Sequence, residues 1–494
     1  MTSTLDRPPR PAQAPRPRSR SGWFGQLLLR LHFYAGILVG PFILIAALSG
    51  ALYALSPTIE QAVYARELRA PVTATTVPLA AQIEAAEAHL AASGDGDGAV
   101  LSAVRPAPEP GDTTRVMFTQ EGLGASESRA VFVDPGTAEI RGDEIVYGTS
   151  GSLPLRTWIS NTHRSLHLGD AGRLYSELAA SWLGVVVLAG VGLWVIRARR
   201  ARSRRDMLRP NTRAKGYRRL FSWHTSIGVW VAVGALFLAA TGITWSTYGG
   251  ANVSQARTAL DWGTPSVNTV LDADAGASAG DDHAGHDGPA AAPTGEANPA
   301  TFDAVLAIAQ RVNVDTGLVQ ITPPAEAGTA WTVREIQRGY PTQMDAVAID
   351  GTTMEVVDRV DFADYSLAAK LATWGIAIHM GTMFGLLNQV VMFALALGIA
   401  ALVVLGYAMW WKRRPTRSDA LVGSPPARGA LRGAPWWGIG AVGIAALAIG
   451  VWLPLIGVTL AAFVVIDVAI GAVRSRRARA AATATSPDAT ASRP

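Results

Sequence analysis

Uninterrupted apolar stretches, several of them as long as a lipid bilayer is thick, constrain this chain more than any other feature of its sequence. A helix rises ~1.5 Å per residue, so about 20 apolar residues are needed to cross the hydrocarbon of a bilayer. Runs of that order lie at Leu31–Leu55, Leu178–Ile196, Trp223–Trp245 and Val390–Trp411. Two more, Trp436–Trp452 and Leu455–Val473, are separated only by Leu453-Pro454 and read as a tight hairpin. With 16% charged residues and a mean hydropathy of +0.22, the chain is a polytopic membrane protein with six expected spans.

Charge sets the expected topology, because Lys and Arg are retained on the cytoplasmic side. The first 30 residues and segments 197–219, 412–432 and 474–494 hold 28 of the 43 basic residues and only four acids. Both termini are therefore expected in the cytoplasm of a bacterium, with the chain multi-pass in its cytoplasmic membrane. The high pI reflects this asymmetry, and no nucleic-acid partner is expected. The Pro/Arg-rich start is read as a disordered leader rather than a cleaved signal, since the apolar run behind it is too long. The absence of cysteine excludes disulfides, iron–sulfur ligation and covalent c-type haem, so redox chemistry would need a bound cofactor.

The chain is internally duplicated. An offset of 192 superposes His32 on His224, Gly36 on Gly228 and Gly50 on Gly242. An offset of 216 superposes His163 on His379, Gly169 on Gly385, Gly190 on Gly406 and Trp194 on Trp410. Each unit is a span, a large outer segment and a second span. An even number of spans keeps the copies parallel, with a pseudo-twofold axis along the membrane normal. Equivalent histidines then share a depth: His32 and His224 on the cytoplasmic side, His163 and His379 on the outer side.

Each outer segment reads as a helix followed by short strands. Leu79–Ala92 is predicted helical, with strands at Val100–Val104, Arg115–Thr119 and Ala130–Val133. The second copy repeats this with a helix at Phe302–Arg311 and strands near Leu318–Thr322, Ala330–Ile336 and Ala346–Ile349. The fold class is a mixed membrane protein: an α-helical transmembrane bundle, with a four-helix core from the duplicated unit and a C-terminal helical hairpin, carrying two small extracytoplasmic α+β domains. The expected order is a leader (1–22), first span (23–56), outer domain (57–176), second span (177–196) and basic loop (197–219). A third span (220–247), a second outer domain (248–372, with a disordered loop at 267–300) and a histidine segment with the fourth span (373–411) follow. A loop (412–433), the hairpin (434–473) and a tail (474–494) close the chain.

Ionisable residues are costly in hydrocarbon, which makes intramembrane histidines candidates for function, and neutral imidazole is a common metal ligand. Glycine four residues after His32 and His224 leaves a bare patch one helical turn away, where a flat ligand can approach the backbone. Bis-histidine b-type haem needs no covalent link and suits a helical bundle. The competing reading is that Gly36 and Gly228 only let helices pack closely. Four histidines in a duplicated register favour the ligand role, giving two haems with iron ligands His32, His224, His163 and His379. His167, one turn after His163, is an alternative ligand or a hydrogen-bonding partner, although its repeat equivalent is Met383. His163 lies about 14 residues before its apolar run, so a bend at Gly169 or Gly172 must return it to the membrane. His283 and His286 sit among aspartates in a segment that could capture a metal loosely or serve as a flexible linker. His89 is read as a solvated surface residue, and Asp467 as a lone acid in the last span with no identified partner.

At these residues the chain resembles the PepSY-associated transmembrane family, also called iron-regulated or siderophore-reductase-like membrane proteins. The resemblance covers roughly 25–415. It rests on Leu31-His32 and Trp223-His224 with their trailing glycines, on Thr162-His163-Arg164-Ser165-Leu166 with Gly169-Asp170, and on Trp374-Gly375-Ile376-Ala377-Ile378-His379-Met380-Gly381. Trp410-Trp411-Lys412-Arg413-Arg414 closes it. The outer segments look like PepSY domains at Val131-Phe132-Val133-Asp134-Pro135-Gly136-Thr137 and Val347-Ala348-Ile349-Asp350-Gly351.

The resemblance implies b-type haems on these histidines and, in some members, reduction of ferric siderophores. The expected function is transmembrane electron transfer to a ferric siderophore or another metal complex. No flavin or nucleotide motif is visible, so a separate reductase or a quinol is the expected donor. The alternatives are a membrane scaffold whose PepSY domains bind or inhibit extracytoplasmic proteins, and a metal or siderophore transporter.

Overall fold

A computed structural model describes residues 22–94, 96–201, 205–271, 298–413, 426 and 428–484. The expected leader and His283 and His286 lie outside the described residues, as does most of the expected loop at 267–300. Residues at the start of that loop form an isolated bridge, with Val270 opposite Thr329 just ahead of the strand Trp331–Glu335.

The first apolar run forms two nearly continuous helices, α1 (Trp23–Leu38) and α2 (Gly40–Val63). The junction follows from Pro41, which has no N–H to offer the carbonyl four residues back. The hydroxyl of Tyr407 donates to that carbonyl, Ile37 O, at 2.6 Å. A buried polar group that a membrane would leave unpaired is thereby satisfied. A short turn of helix, α3 (Ala65–Leu68), leads out to α4 (Leu79–Ser93).

The strands β1 (Val100–Arg105), β2 (Thr114–Thr119), β3 (Glu127–Val133) and β4 (Ile140–Tyr147) form an antiparallel meander. The chain then enters α5 (Pro154–Ser165), reverses, and continues as α6 (Gly169–Ala198). The reversal is made by left-handed backbone at Leu166, His167 and Gly169, where only the glycine escapes steric cost. This is the bend that His163 requires. After α7 (Arg205–Leu208) come α8 (Gly216–Thr244) and α9 (Tyr248–Ala259). The buried Glu177 of α6 accepts the first two amide hydrogens of α9, from Tyr248 and Gly249, both at 2.9 Å.

The second copy supplies α10 (Pro299–Val312) and strands β5 (Val319–Thr322), β6 (Trp331–Glu335), β7 (Ala346–Ile349) and β8 (Val356–Val360). It returns through α11 (Leu367–His379) to α12 (Gly385–Lys412), with left-handed Gly381 and Gly385 at the corner. A hairpin of α13 (Trp436–Trp452) and α14 (Pro454–Ala484) follows.

Among the described residues five helices are long and apolar enough to cross a membrane: Gly40–Val63, Gly169–Ala198, Gly216–Thr244, Gly385–Lys412 and Pro454–Arg477. The expected sixth, Trp436–Trp452, has only 17 residues, short of the ~20 a bilayer needs. Helix α2 packs on α12, α6 on α8, α8 on α12, and α1 on α6. Their contacts are lined by small residues, Ala35, Ala47, Ala179 and Ala235, around Ile43, Trp182 and Ile399. Leu48, Leu188, Val233 and Leu447 face outward, as lipid-facing side chains do.

The two expected outer domains are one body. Their meanders join edge to edge into an eight-stranded sheet of order β4-β3-β2-β1-β5-β6-β7-β8, with Val104 opposite Ile321 at the seam. Pairing the two β1 and β5 edges removes two exposed rows of backbone donors and acceptors. Helices α4 and α10 pack together over one face, burying Ile83, Ala86, Val116, Phe302 and Val305 against Val104, Ile321 and Val333. The carboxylate of Asp303 in α10 caps α4, accepting from Leu79 N at 3.0 Å and Ala80 N at 3.3 Å, so the second copy caps a helix of the first.

Candidate functional site: two histidine pairs facing two cavities

The site is built from the repeat. In the half of the bundle near the basic loop, His32 of α1 and His224 of α8 face each other with ring centres 6.1 Å apart and planes at 79°. His32 Nδ1 lies 2.8 Å from Val186 O, and His224 Nδ1 lies 3.1 Å from Leu402 O. A carbonyl can only accept, so both rings carry their proton on Nδ1 and leave the Nε2 lone pair free. Val186 and Leu402 are themselves 216 residues apart, so the partners repeat as the histidines do.

Both rings border a cavity of about 280 Å³ that Gly36, Gly190, Gly228 and Gly406 also line. A Cβ on Gly36 or Gly406 would meet nothing within 4 Å, whereas one on Gly190 would come within 3.0 Å of His32 Cε1. The first two glycines therefore open space, and the third lets the imidazole lie against a helix backbone.

The second pair lies toward the sheet. His163 of α5 and His379 of α11 border one cavity of about 240 Å³. Ser49 Oγ is 3.0 Å from His163 Nδ1, and Thr241 Oγ1 is 2.6 Å from His379 Nδ1. Each hydroxyl spends its own hydrogen on a carbonyl one turn back, Ser49 on Ile45 O and Thr241 on Phe237 O, both at 2.8 Å. With their hydrogens so placed the hydroxyls accept from the rings, and these histidines too keep a lone pair on Nε2. Ser49 and Thr241 are 192 residues apart, as are Tyr53, stacked on His163, and Trp245, edge-on to His379. Gly50 admits the His163 ring, whose Cε1 would stand 3.0 Å from an added Cβ.

The bend at 166–169 brings His163 back against the middle of α2. His167 is not brought in. Its Nε2 is 2.9 Å from Thr162 Oγ1, its ring lies on Trp158, and it does not border the cavity. Two further expectations need correction. His89 is not simply solvated but contacts Asp143 at 3.1 Å, a carboxylate also held by Arg129. Asp467 has two partners, Arg30 at 3.1 Å and Arg428 at 3.2 Å, which tie α14 to α1.

Residues that sequence reasoning missed are the four Nδ1 partners. For Ser49 and Thr241 the signal was present, since they obey the same offset as the glycines beside them. For Val186 and Leu402 the partner is backbone, which any residue supplies.

Among the described residues no group of three or more His, Asp or Glu side chains could hold a metal ion. The family description PepSY-associated TM region matches residues 29–413, more than three-quarters of the sequence. The chain belongs to the PepSY-associated transmembrane family. The matched segment begins just before His32, ends at Arg413 and encloses both cavities and the sheet; the hairpin of α13 and α14 lies beyond it. A search of the curated proteins found no match.

Proposed function

We propose that this family member is a b-type haem electron carrier that passes electrons across the membrane to a ferric siderophore or another metal complex on the outer face. The observation that carries this reading is the shared preparation of four histidines, each held at Nδ1 by a repeat-matched partner and bordering a cavity. Fixing the tautomer and ring orientation through the second nitrogen is what a metal-bound histidine requires. The spacing also fits. Two imidazoles that each reached one metal ion at about 2 Å would have ring centres about 6 Å apart. The ring centres of His32 and His224 are 6.1 Å apart.

When bound, haem iron would supply a one-electron couple in each half of the membrane. The chain's own residues divide the remaining work. His32 and His224 would hold the carrier next to the basic loops, where a reductase or quinol delivers electrons. His163 and His379 would hold the second beneath the sheet, whose lower loops, including Thr149 and Arg338, border the same cavity. The aromatic rings of Tyr53 and Trp245 would cover the outer imidazoles and limit water there. One electron converts bound Fe(III) to Fe(II), which hard oxygen donors hold less well, so transfer itself would free the metal.

The test is oxidation of dithionite-reduced protein by a ferric hydroxamate with a ferrous chelator present. The expected result is haem reoxidation matched by one Fe(II) trapped per electron. Haem that stays reduced in the presence of ferric chelate would refute the substrate assignment.

A further inference from the structure

Each cavity has two arginines on its border, and the repeat relates the two of one cavity. Arg197 and Arg413 border the cavity of His32 and His224 and are 216 residues apart. Arg197 lies over the ring of Phe221 at 4.8 Å and Arg413 over Tyr217 at 4.7 Å, so aromatic faces hold both guanidiniums at the mouth. In the cavity of His163 and His379, Arg164 donates to the Tyr147 hydroxyl at 2.8 Å, and its repeat mate is Met380. The missing guanidinium comes from the sheet. Arg338, just after β6, places Nη1 4.0 Å from Met380 Sδ, donates from Nη2 to Thr149 Oγ1 at 2.7 Å, and borders the same cavity.

Neither cavity has an Asp or Glu among its described lining residues. Behind Arg338 lie further arginines, Arg105, Arg334 and Arg156, the last 3.6 Å from the carboxylate of Glu60. Burial, with Arg115, Arg334 and Arg338 nearby, pushes Arg105 down to about 9. Burial and the neighbouring Arg334 and Arg156 push Arg338 down to about 10. Like charges gathered away from water are unfavourable until an anion joins them.

A pair of guanidiniums at the edge of each cavity, at opposite ends of the bundle, points to a ligand with two carboxylates on one edge. We infer that Arg164 and Arg338 bind the paired carboxylates of the ligand held by His163 and His379, and that Arg197 and Arg413 bind those of the ligand held by His32 and His224. The inference rests on the haem reading, in which these carboxylates are the porphyrin propionates. Guanidinium forks are suited to this role because they meet a carboxylate with two parallel hydrogen bonds. An anionic ferric chelate would offer Arg164 and Arg338 the same oxygen chemistry from outside, so the test must separate the two sources.

Full-length protein produced without haem and held in detergent is titrated with haemin and with haemin dimethyl ester, followed by the Soret band. Wild-type protein is expected to bind two equivalents of haemin at least tenfold more tightly than the ester. Arg164→Gln/Arg338→Gln and Arg197→Gln/Arg413→Gln are each expected to remove that preference from one equivalent and leave the other, with partial return in the matching lysine variants. Equal binding of acid and ester by wild-type protein overturns the inference while leaving the haem reading intact. Arg164→Gln/Arg338→Gln protein that binds haemin normally but needs more anionic ferric chelate for half-saturation also overturns it, by assigning the pair to substrate. Wild-type protein that takes up neither porphyrin overturns the haem reading and this inference with it.

Discussion

Replacing Gly36 by leucine separates a ligand cavity from helix packing as the reason for the glycine. A Cβ added at Gly36 meets nothing within 4 Å, and the rest of a leucine can extend into the cavity that Gly36 borders, so the ligand-free protein is expected to admit it. It should also favour the helix, since glycine in a helix interior costs about 1 kcal/mol relative to better helix formers. The ligand-free variant is therefore expected to unfold at the same temperature as the parent or slightly above it. The cost appears only when a flat ligand enters. Gly36 lies one turn from His32, about 6 Å along the axis, on the border of the 280 Å³ cavity. An overpacked contact costs about 1–3 kcal/mol, which converts to roughly 5- to 150-fold weaker haem binding. The assay is haem per chain by pyridine haemochrome, together with thermal unfolding of haem-free protein. Full haem occupancy with an unaltered spectrum would refute the placement of a ligand against Gly36. A lowered unfolding temperature without haem would show instead that the glycine serves close helix contact.

Other perturbations probe separate parts of the structure. Thr241→Val removes the acceptor for His379 Nδ1 and keeps the shape; loss of such a partner typically weakens a metal site 10- to 100-fold, so one of two haems should become easily extracted. Unchanged retention of both would deny Thr241 its positioning role. Gly381→Ala forces a left-handed residue at φ +76° and brings Cβ to 3.2 Å from Ala54 O, so stability should fall by about 1–2 kcal/mol. An alanine variant as stable as the parent in a denaturation series would contradict the strain argument. Asp467→Asn should loosen α14 from α1, because Arg30 is 10% exposed and would lose a charged partner at 3.1 Å; about 1–3 kcal/mol is expected. Unaltered protease sensitivity of the 428–484 segment would argue against that tie.

The parts of the fold that depend on periodicity and spacing were legible in the sequence. The apolar runs, the helix and three strands of each outer segment, and the histidine offsets of 192 and 216 correspond to structure at nearly the residues expected. What was not legible depends on partners far away in the chain. Nothing in the alternation of Val100–Arg105 says that its free edge will meet β5, because alternation reports faces and not edges. The lone acid Asp467 found Arg30 across 437 positions of sequence, a distance over which no local pattern operates. Strands β4 and β8 were missed because their side chains are mostly half-buried or exposed, so apolar alternation is weak. In the site, the histidines and glycines were visible as chemistry, while the groups that orient the rings are two hydroxyls and two carbonyls. Only the hydroxyls leave a trace in the sequence.

The central claim is that two histidine pairs hold two haems, one in each half of the membrane. The most direct test is the haem-to-protein ratio and reduced-minus-oxidised spectrum of purified wild-type protein beside His32→Ala/His224→Ala and His163→Ala/His379→Ala. The expected result is about two haems per chain with sharp α and β bands on reduction, and about one in each double variant. A wild-type protein without haem bands, or variants that keep both haems, would contradict it.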